Sequence, residues 1–169
     1  MIGFDISKWA TKAATRRMMA TWLVASNRNI PLARNSVNCL LSLFGFPVYP
    51  SFAKILKPGG TLLMVDAGPQ HLIELRETIY PSVRHSDSTV EKNALSAGFF
   101  VGETSTVRFQ TAPLKQLEIN QLLSMTPHLY RASREGLERV AKLNHLPVTV
   151  EVSFRCLRTP TEDWTSTNP

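Results

Sequence analysis

The sequence predicts an α/β fold: a mostly parallel sheet with helices on both faces and an antiparallel edge. Three observations carry this. Short apolar runs alternate along the chain with segments whose apolar residues recur at helical spacing. One run, Thr61-Leu-Leu-Met-Val65, is apolar throughout, as expected of a strand covered on both faces. The last run, Val148 to Cys156, instead alternates strictly, with Val148, Val150, Val152, Phe154 and Cys156 on one side. Thr149, Glu151, Ser153 and Arg155 fall on the other, the pattern of a half-exposed strand.

The chain has 169 residues, enough for one domain with a sizeable core. Apolar residues make up 43% and charged residues 19%, an ordinary globular balance. The net charge of +6 admits a polyanionic partner without requiring one. Two cysteines far apart, Cys39 and Cys156, cannot build a metal cluster, and no metal site is expected. Each lies in an apolar run, so the expectation is buried free thiols in a reducing compartment, the cytoplasm. No apolar run approaches the roughly 20 residues of a membrane span. Lys8, Lys12, Arg16 and Arg17 interrupt any signal-peptide layout.

Taken in order, Met1 to Phe4 reads as a strand closed by Asp5. Ile6 to Met18 reads as a helix, with Ile6, Trp9, Ala10, Ala13 and Ala14 on an apolar side and Lys8, Lys12 and Arg16 on a solvated one. Ala20 to Ala25 is a second strand, Ser26 to Asn35 a polar loop, and Ser36 to Phe44 a third strand. Tyr49 to Leu56 is a short helix, which Pro58 cannot continue. Gly59 and Gly60 supply backbone angles that other residues avoid. After the strand ending at Val65, Gly68-Pro69 is a break, and a helix runs from Gln70 to about Tyr80. Pro81 to Ser88 is a polar connection. Thr89 to Ala97 is a helix closed by Gly98. Phe99 to Thr111 is a strand broken at Gly102. Pro113 to Met125 is a helix with proline in its first turn. Ser133 to Leu146 is a helix capped by Ser133 and weakened at Gly136 by roughly 1 kcal/mol relative to alanine. Residues 1–158 form one domain, and Thr159 to Pro169 is a polar, disordered tail.

Ligands of such sheets bind at the carboxyl ends of the strands. Three loops fall there: Asp5, Ala25-Ser26-Asn27, and Ala67 to His71. A carboxylate in that place can accept two hydrogen bonds from a ribose diol. It can equally cap a helix. Ser26-Asn27 suits a plain turn, and His71 suits either an internal hydrogen bond or a ligand contact.

The segments Gly3-Phe-Asp-Ile-Ser-Lys8, Thr21-Trp-Leu-Val-Ala-Ser26, Lys57-Pro-Gly-Gly60, Gly68-Pro-Gln-His-Leu72 and Met125-Thr-Pro127 occur in that order. Together they resemble the 23S ribosomal RNA (guanine-N1)-methyltransferases, a branch of the class I S-adenosylmethionine-dependent methyltransferases. The resemblance spans about Gly3 to Leu157. It implies a Rossmann-like class I methyltransferase sheet and S-adenosylmethionine as cofactor. It further implies that Asp5 faces the ribose, Ala25 and Ser26 border the adenine, and His71 touches the cofactor. Large-subunit ribosomal RNA is the implied partner, and no membrane is involved. No catalytic residue is assigned: Asp66 lies near the correct edge, but a turn-capping role fits it better.

Two family features are missing. One is a zinc-binding module with four cysteine or histidine ligands. The other is the first strand with its glycine-rich loop, which lies roughly 20 residues before the acid; only four residues precede Asp5. The chain thus resembles an N-terminally truncated methyltransferase domain. The missing strand belongs between the strand ending at Asp5 and the one starting at Ser36, and its amides hold the methionine end of the cofactor. Weak or absent binding of S-adenosylmethionine is the expected result. The two bared edges predict a loosely attached Met1 to Asn35 beside one cooperative core over Ser36 to Cys156. Closure by pairing of Ile2-Gly-Phe4 with Val37 to Leu43, or a homodimer that pairs the edges, are the alternatives. Two rival readings of function are a non-catalytic RNA- or partner-binding remnant and a small-molecule methyltransferase.

Overall fold

A computed structural model describes residues 1–83 and 90–161. Most of the expected Pro81–Ser88 connection and residues 162–169 of the expected tail lie outside the described residues. The strands are β1 (Ile2–Asp5), β2 (Thr21–Val24), β3 (Val37–Leu43), β4 (Leu56–Ala67), β5 (Phe100–Gln110), β6 (Leu114–Lys115), β7 (His145–Leu146) and β8 (Thr149–Arg158). The helices are α1 (Lys8–Thr15), α2 (Tyr49–Ile55), α3 (Ile73–Ile79), α4 (Val90–Ser96), α5 (Gln116–Ser124), α6 (His128–Arg131) and α7 (Arg134–Ala141).

β1 and β2 form a parallel pair, with Ile2 opposite Thr21 and Asp5 opposite Val24. A four-stranded sheet has the order β3-β4-β8-β5. β8 is antiparallel to β4: Gly59 N–H donates to Pro160 O (2.9 Å) and Gly68 N–H to Glu151 O (2.9 Å), so partner numbers fall as β4 advances. The predicted α/β class, with parallel strands and an antiparallel edge, is what the fold has. β1 does not pair with β3 among the described residues, so the alternative in which Ile2-Gly-Phe4 closes the sheet onto Val37 to Leu43 does not occur there.

The chain divides into two compact units, Met1–Met64 with Thr89–Glu103 and Cys156–Pro169, and Val65–Ser88 with Thr104–Arg155. Each has its own apolar cluster. In the first, Phe52, Ile55, Leu56, Leu62, Met64, Phe99 and Leu157 are almost fully buried. In the second, Leu75, Ile79, Ile119, Val140 and Val148 are. The single core expected over Ser36 to Cys156 is therefore two, and Phe4 packs against the first of them.

Local chemistry explains the element ends. Ser7 caps α1 by accepting from Ala10 N–H (3.2 Å), and Asp5 Oδ1 accepts from Ser7 N–H (2.7 Å). α1 is shorter than its apolar spacing suggests. Ile6 and Trp9 are exposed, and the buried residue of α1 is Thr11, whose hydroxyl donates to Leu23 O. Trp22 covers Gly3 so closely that a Cβ there would enter its ring, which fixes glycine at that point of β1.

α2 ends at Ile55, ahead of Pro58 as expected, but Lys57-Pro-Gly-Gly60 is not a turn before the strand; it already lies within β4. Gly59 has φ +71°, a backbone conformation that disfavours side chains. Gly60 is required for close approach instead, because an added Cβ would stand 2.8 Å from Lys57 O. The ladder beside them runs past the predicted tail boundary: Thr159 is buried and its N–H donates to Gly60 O (3.0 Å).

Gly102 does not break β5. It lies opposite β8, where an added Cβ would stand 3.0 Å from Cys156 O. Gly136 is likewise a packing requirement: α7 approaches α3 so closely that a Cβ at Gly136 would collide with Ile79 O. The thiols depart from expectation too, Cys39 being exposed and Cys156 half-buried, both unpaired. Cys39 falls with Leu41 and Leu43 among the exposed positions of β3.

Candidate cofactor site

Three of the four predicted contact residues stand together in the first unit. Asp5 ends β1, and its carbonyl accepts from Ala25 N–H at 3.1 Å, which joins the carboxyl ends of β1 and β2. Ala25 and Ser26 are half-buried and Asp5 is exposed. Ser26 opens a tight turn: its carbonyl accepts from Asn29 N–H (3.0 Å) and its hydroxyl from Arg28 N–H (3.3 Å). The turn is tied onward, with Asn27 Nδ2 donating to Phe46 O (2.8 Å) and Ser51 Oγ to Arg28 O (3.3 Å). The loops after β1, β2 and β3 are thereby held as a set. Asn27 was legible only as a turn residue, and its reach across 19 positions has no local sequence signal.

Asp5 is not the cap of α1, which is Ser7; its Oδ1 holds that cap residue by accepting from Ser7 N–H. Oδ2 takes no hydrogen bond among the described residues, and a carboxylate can serve both roles. These residues fit the adenosine half of S-adenosylmethionine: an acid at a strand end, beside a half-buried small residue and a hydroxyl. Among the described residues no glycine-rich turn stands between β1 and β3.

His71 belongs to the second unit, on the turn after β4. Its N–H donates to Gly68 O (3.1 Å), and its Nδ1 accepts from Glu151 N–H (3.3 Å). Arg76 Nη1 fastens the same turn by donating to Pro69 O (2.7 Å) and His71 O (3.4 Å). Leu72 adopts φ 53° at the start of α3, and its N–H donates to Thr149 O (2.7 Å). An added Cβ at Gly68 would meet the Glu151 side chain, which would have to move.

The alternation of β8 is real, but its polarity is inverted. Thr149, Glu151 and Ser153 are each 7% exposed, whereas Val150, Val152 and Phe154 are only half-buried. Each polar residue is matched. Glu74 accepts from Thr149 N–H (2.7 Å) and hydroxyl (2.6 Å). Ser153 Oγ lies 3.2 Å from Thr106 Oγ1, and Arg155 pairs with Asp66 at 3.2 Å. Among the described residues the partner of Asp66 is Arg155, and no turn amide donates to it. Burial raises its pKa, and the Arg155 guanidinium pulls it back.

Two histidines of this unit are held neutral. Burial lowers the pKa of His71 below its usual 6.5, with Arg76 acting in the same direction. His128, whose Nδ1 is 3.0 Å from the Tyr80 hydroxyl, is lowered first by burial and then by Arg76 and Arg131. A folded pKa below the unfolded one means the unfolded chain takes up protons first. Stability present at pH 7 is thus lost as pH falls below the usual 6.5. The urea midpoint is expected to drop over that interval. The drop should shrink in a His71→Asn, His128→Asn double variant, whose side chains do not titrate.

No protein-family profile matches the chain. A Bacillus subtilis (strain 168) protein, YxjB, provisionally named as a 23S rRNA (guanine-N(1)-)-methyltransferase, is 27% identical over 155 residues. That alignment covers 90% of this chain and 55% of that protein. A Micromonospora griseorubida protein with the same provisional name is 29% identical over 161 residues, 93% of this chain and 54% of its own. The chain spans about half the length of these curated relatives. Among solved structures, a provisionally named methyltransferase from Bacillus halodurans C-125 superposes with a TM-score of 0.58 at 16% identity, covering 95% of this chain and 83% of that one. The chain is thus a relative of the proteins named as 23S rRNA (guanine-N1)-methyltransferases, on the fold of the class I S-adenosylmethionine-dependent methyltransferases.

Proposed function

We propose that this chain is the sheet-bearing part of an S-adenosylmethionine-dependent methyltransferase acting on guanine N1 of large-subunit ribosomal RNA, in the cytoplasm. The observation that carries the reading is the joined set of loops at the carboxyl ends of β1, β2 and β3, with Asp5 and Ser26 on it. The names of the two curated relatives support the substrate. When bound, S-adenosylmethionine supplies an electrophilic methyl group on a sulfonium.

The chain's own contribution is positioning, which can supply a large part of a methyl-transfer barrier. Asp5 accepts the ribose hydroxyls while its other oxygen holds the Ser7 cap of α1. Ala25 and Ser26 border the adenine, held by the Asn27 and Ser51 ties. His71, neutral at pH 7, is a cofactor contact on the strength of the resemblance alone. Asp66 stays committed to Arg155 and receives no proton from the substrate.

Without a turn for the methionine half, the chain alone binds S-adenosylmethionine weakly or not at all. Calorimetric titration is expected to show no micromolar binding, and micromolar binding would overturn that expectation. Ribosomal RNA affinity is expected to fall steeply with salt and to show little sequence preference, since Lys8, Lys12, Arg16, Arg17, Arg131 and Arg134 are exposed. Affinity indifferent to salt in a mobility-shift titration would contradict an RNA substrate held by these charges. Among the described residues no helix is long and apolar enough to cross a membrane.

A further inference from the structure

We infer that Glu151 and Arg108 form a recognition site for the Watson–Crick edge of an unpaired guanine, an inference that rests on the guanine reading of the proposed function. The residues concerned all belong to the second unit. The polar row of β8 singles out Glu151. In that row Thr149 donates to Glu74 from both its N–H (2.7 Å) and its hydroxyl (2.6 Å). Ser153 Oγ stands 3.2 Å from Thr106 Oγ1, and Arg155 bonds Asp66. Glu151 is as deeply buried as these, at 7% exposure, yet among the described residues no hydrogen bond reaches its carboxylate. Its match is charge alone: Arg108 Nε lies 3.8 Å from Oε2, outside hydrogen-bond range. A buried carboxylate in that condition is costly, and a ligand that donates to both its oxygens removes the cost.

The carboxylate is held in place by its own backbone and by the turn after β4. Glu151 O accepts from Gly68 N–H (2.9 Å), and Glu151 N–H donates to His71 Nδ1 (3.3 Å). Arg76 fastens the turn between them through Pro69 O (2.7 Å). The Glu151 side chain crosses Gly68 where a Cβ would otherwise stand, so the glycine seats the acid. That turn is at the carboxyl end of a strand, where ligands of such sheets bind. Arg108 differs: its side chain is 61% exposed and long enough to turn towards a ligand. Guanine fits the pair by its donors. Its Watson–Crick edge sets two of them side by side, N1–H and an N2–H, next to the acceptor O6. A fixed carboxylate accepts both, one on each oxygen, and the guanidinium donates to O6. Adenine turns a lone pair at N1 towards the carboxylate and an N–H at N6 towards the guanidinium. Bases of single-stranded RNA are read on this edge.

The test titrates the isotopically labelled full chain with the 5′-monophosphates of guanosine, inosine, adenosine and N1-methylguanosine, read by amide and arginine side-chain shifts. The expected result is movement at Gly68, Arg108 and Glu151, with the guanosine compound bound about tenfold or more tightly than the adenosine one. The inosine compound, which lacks the N2 amine, should fall between them. The N1-methyl compound, which lacks the N1 proton, should bind no better than adenosine. Glu151→Gln should erase the preference for guanosine. Should that variant fail to fold, Gly68→Ala displaces the carboxylate without removing its charge and should weaken guanosine binding about tenfold, with adenosine binding unchanged. Four results would overturn the inference: equal affinity for the guanosine and adenosine compounds, shifts confined to other residues, no shifts at tens of millimolar, or a preference that survives Glu151→Gln. Guanosine preference in a chain that does not respond to S-adenosylhomocysteine upholds this site and counts against the proposed function. A response to S-adenosylhomocysteine at Asp5, Ala25 and Ser26 without guanosine preference removes this site and leaves the cofactor reading standing.

Discussion

Phe52→Ala is expected to destabilise the protein by about 3–5 kcal/mol, the range for truncating a buried phenylalanine. Phe52 is 1% exposed and is among the largest fully buried side chains of the first cluster, beside Ile55, Leu56 and Leu62. Its loss leaves a void that the surrounding strands cannot close without breaking their ladders. The consequence reaches the candidate site because the neighbouring Ser51 holds Arg28 O from the same helix, α2. The Ser26–Asn29 turn should therefore loosen before the rest unfolds. Urea unfolding gives the magnitude. Amide exchange at Asn29, whose N–H bonds Ser26 O, reports the local effect. A loss below about 1 kcal/mol would show that Phe52 is not central to that core.

Arg155→Ala is the second large effect, about 3 kcal/mol at pH 7, the low end for breaking a buried ion pair. The pair is well shielded, with side chains 12% and 22% exposed at Arg155 and Asp66. Removing the guanidinium leaves the carboxylate with its burial penalty and no compensation. The pH dependence identifies the cause. Asp66 already has a raised pKa in the fold, and loss of Arg155 raises it further. A raised folded pKa contributes stability at low pH that disappears as pH rises through it. The gap between variant and parent should therefore be widest at neutral pH and narrow on acidification. Adding Asp66→Asn should recover much of the loss. A gap independent of pH would assign the effect to lost packing of the arginine stem instead.

Much of the fold was legible because period and punctuation agree in this sequence. Gly98 and Ser133 mark helix ends, and Thr61 to Val65 lies in a strand as its run of apolar residues suggests, whereas Pro113 stands ahead of α5, which starts at Gln116, and not in its first turn. The misreadings share one physical origin: local sequence does not reveal what stands opposite. Pro58-Gly59-Gly60 looks like a tight turn ahead of the strand, yet Pro160 and Thr159 supply the ladder that keeps it in β4. The alternation in β8 was found correctly but turned inside out, because Glu74, Thr106 and Asp66 satisfy the polar row from distant parts of the chain. Gly136 looked like a weak point in a helix, and its meaning lies in the Ile79 carbonyl beside it. At the candidate site, Asp5, Ala25 and Ser26 were legible from their place after short strands. The ties that hold them, Asn27 to Phe46 and Ser51 to Arg28, were not.

The central claim is that the carboxyl ends of β1 and β2 carry the adenosine subsite of a methyltransferase. A titration of the isotopically labelled chain with S-adenosylhomocysteine, followed by amide chemical shifts, tests it even at millimolar affinity. The account predicts progressive shifts at Asp5, Ala25 and Ser26, with those at Ala25 and Ser26 weakened in an Asp5→Ala variant. Shifts confined to other residues, or none at millimolar ligand in a folded protein, would contradict it.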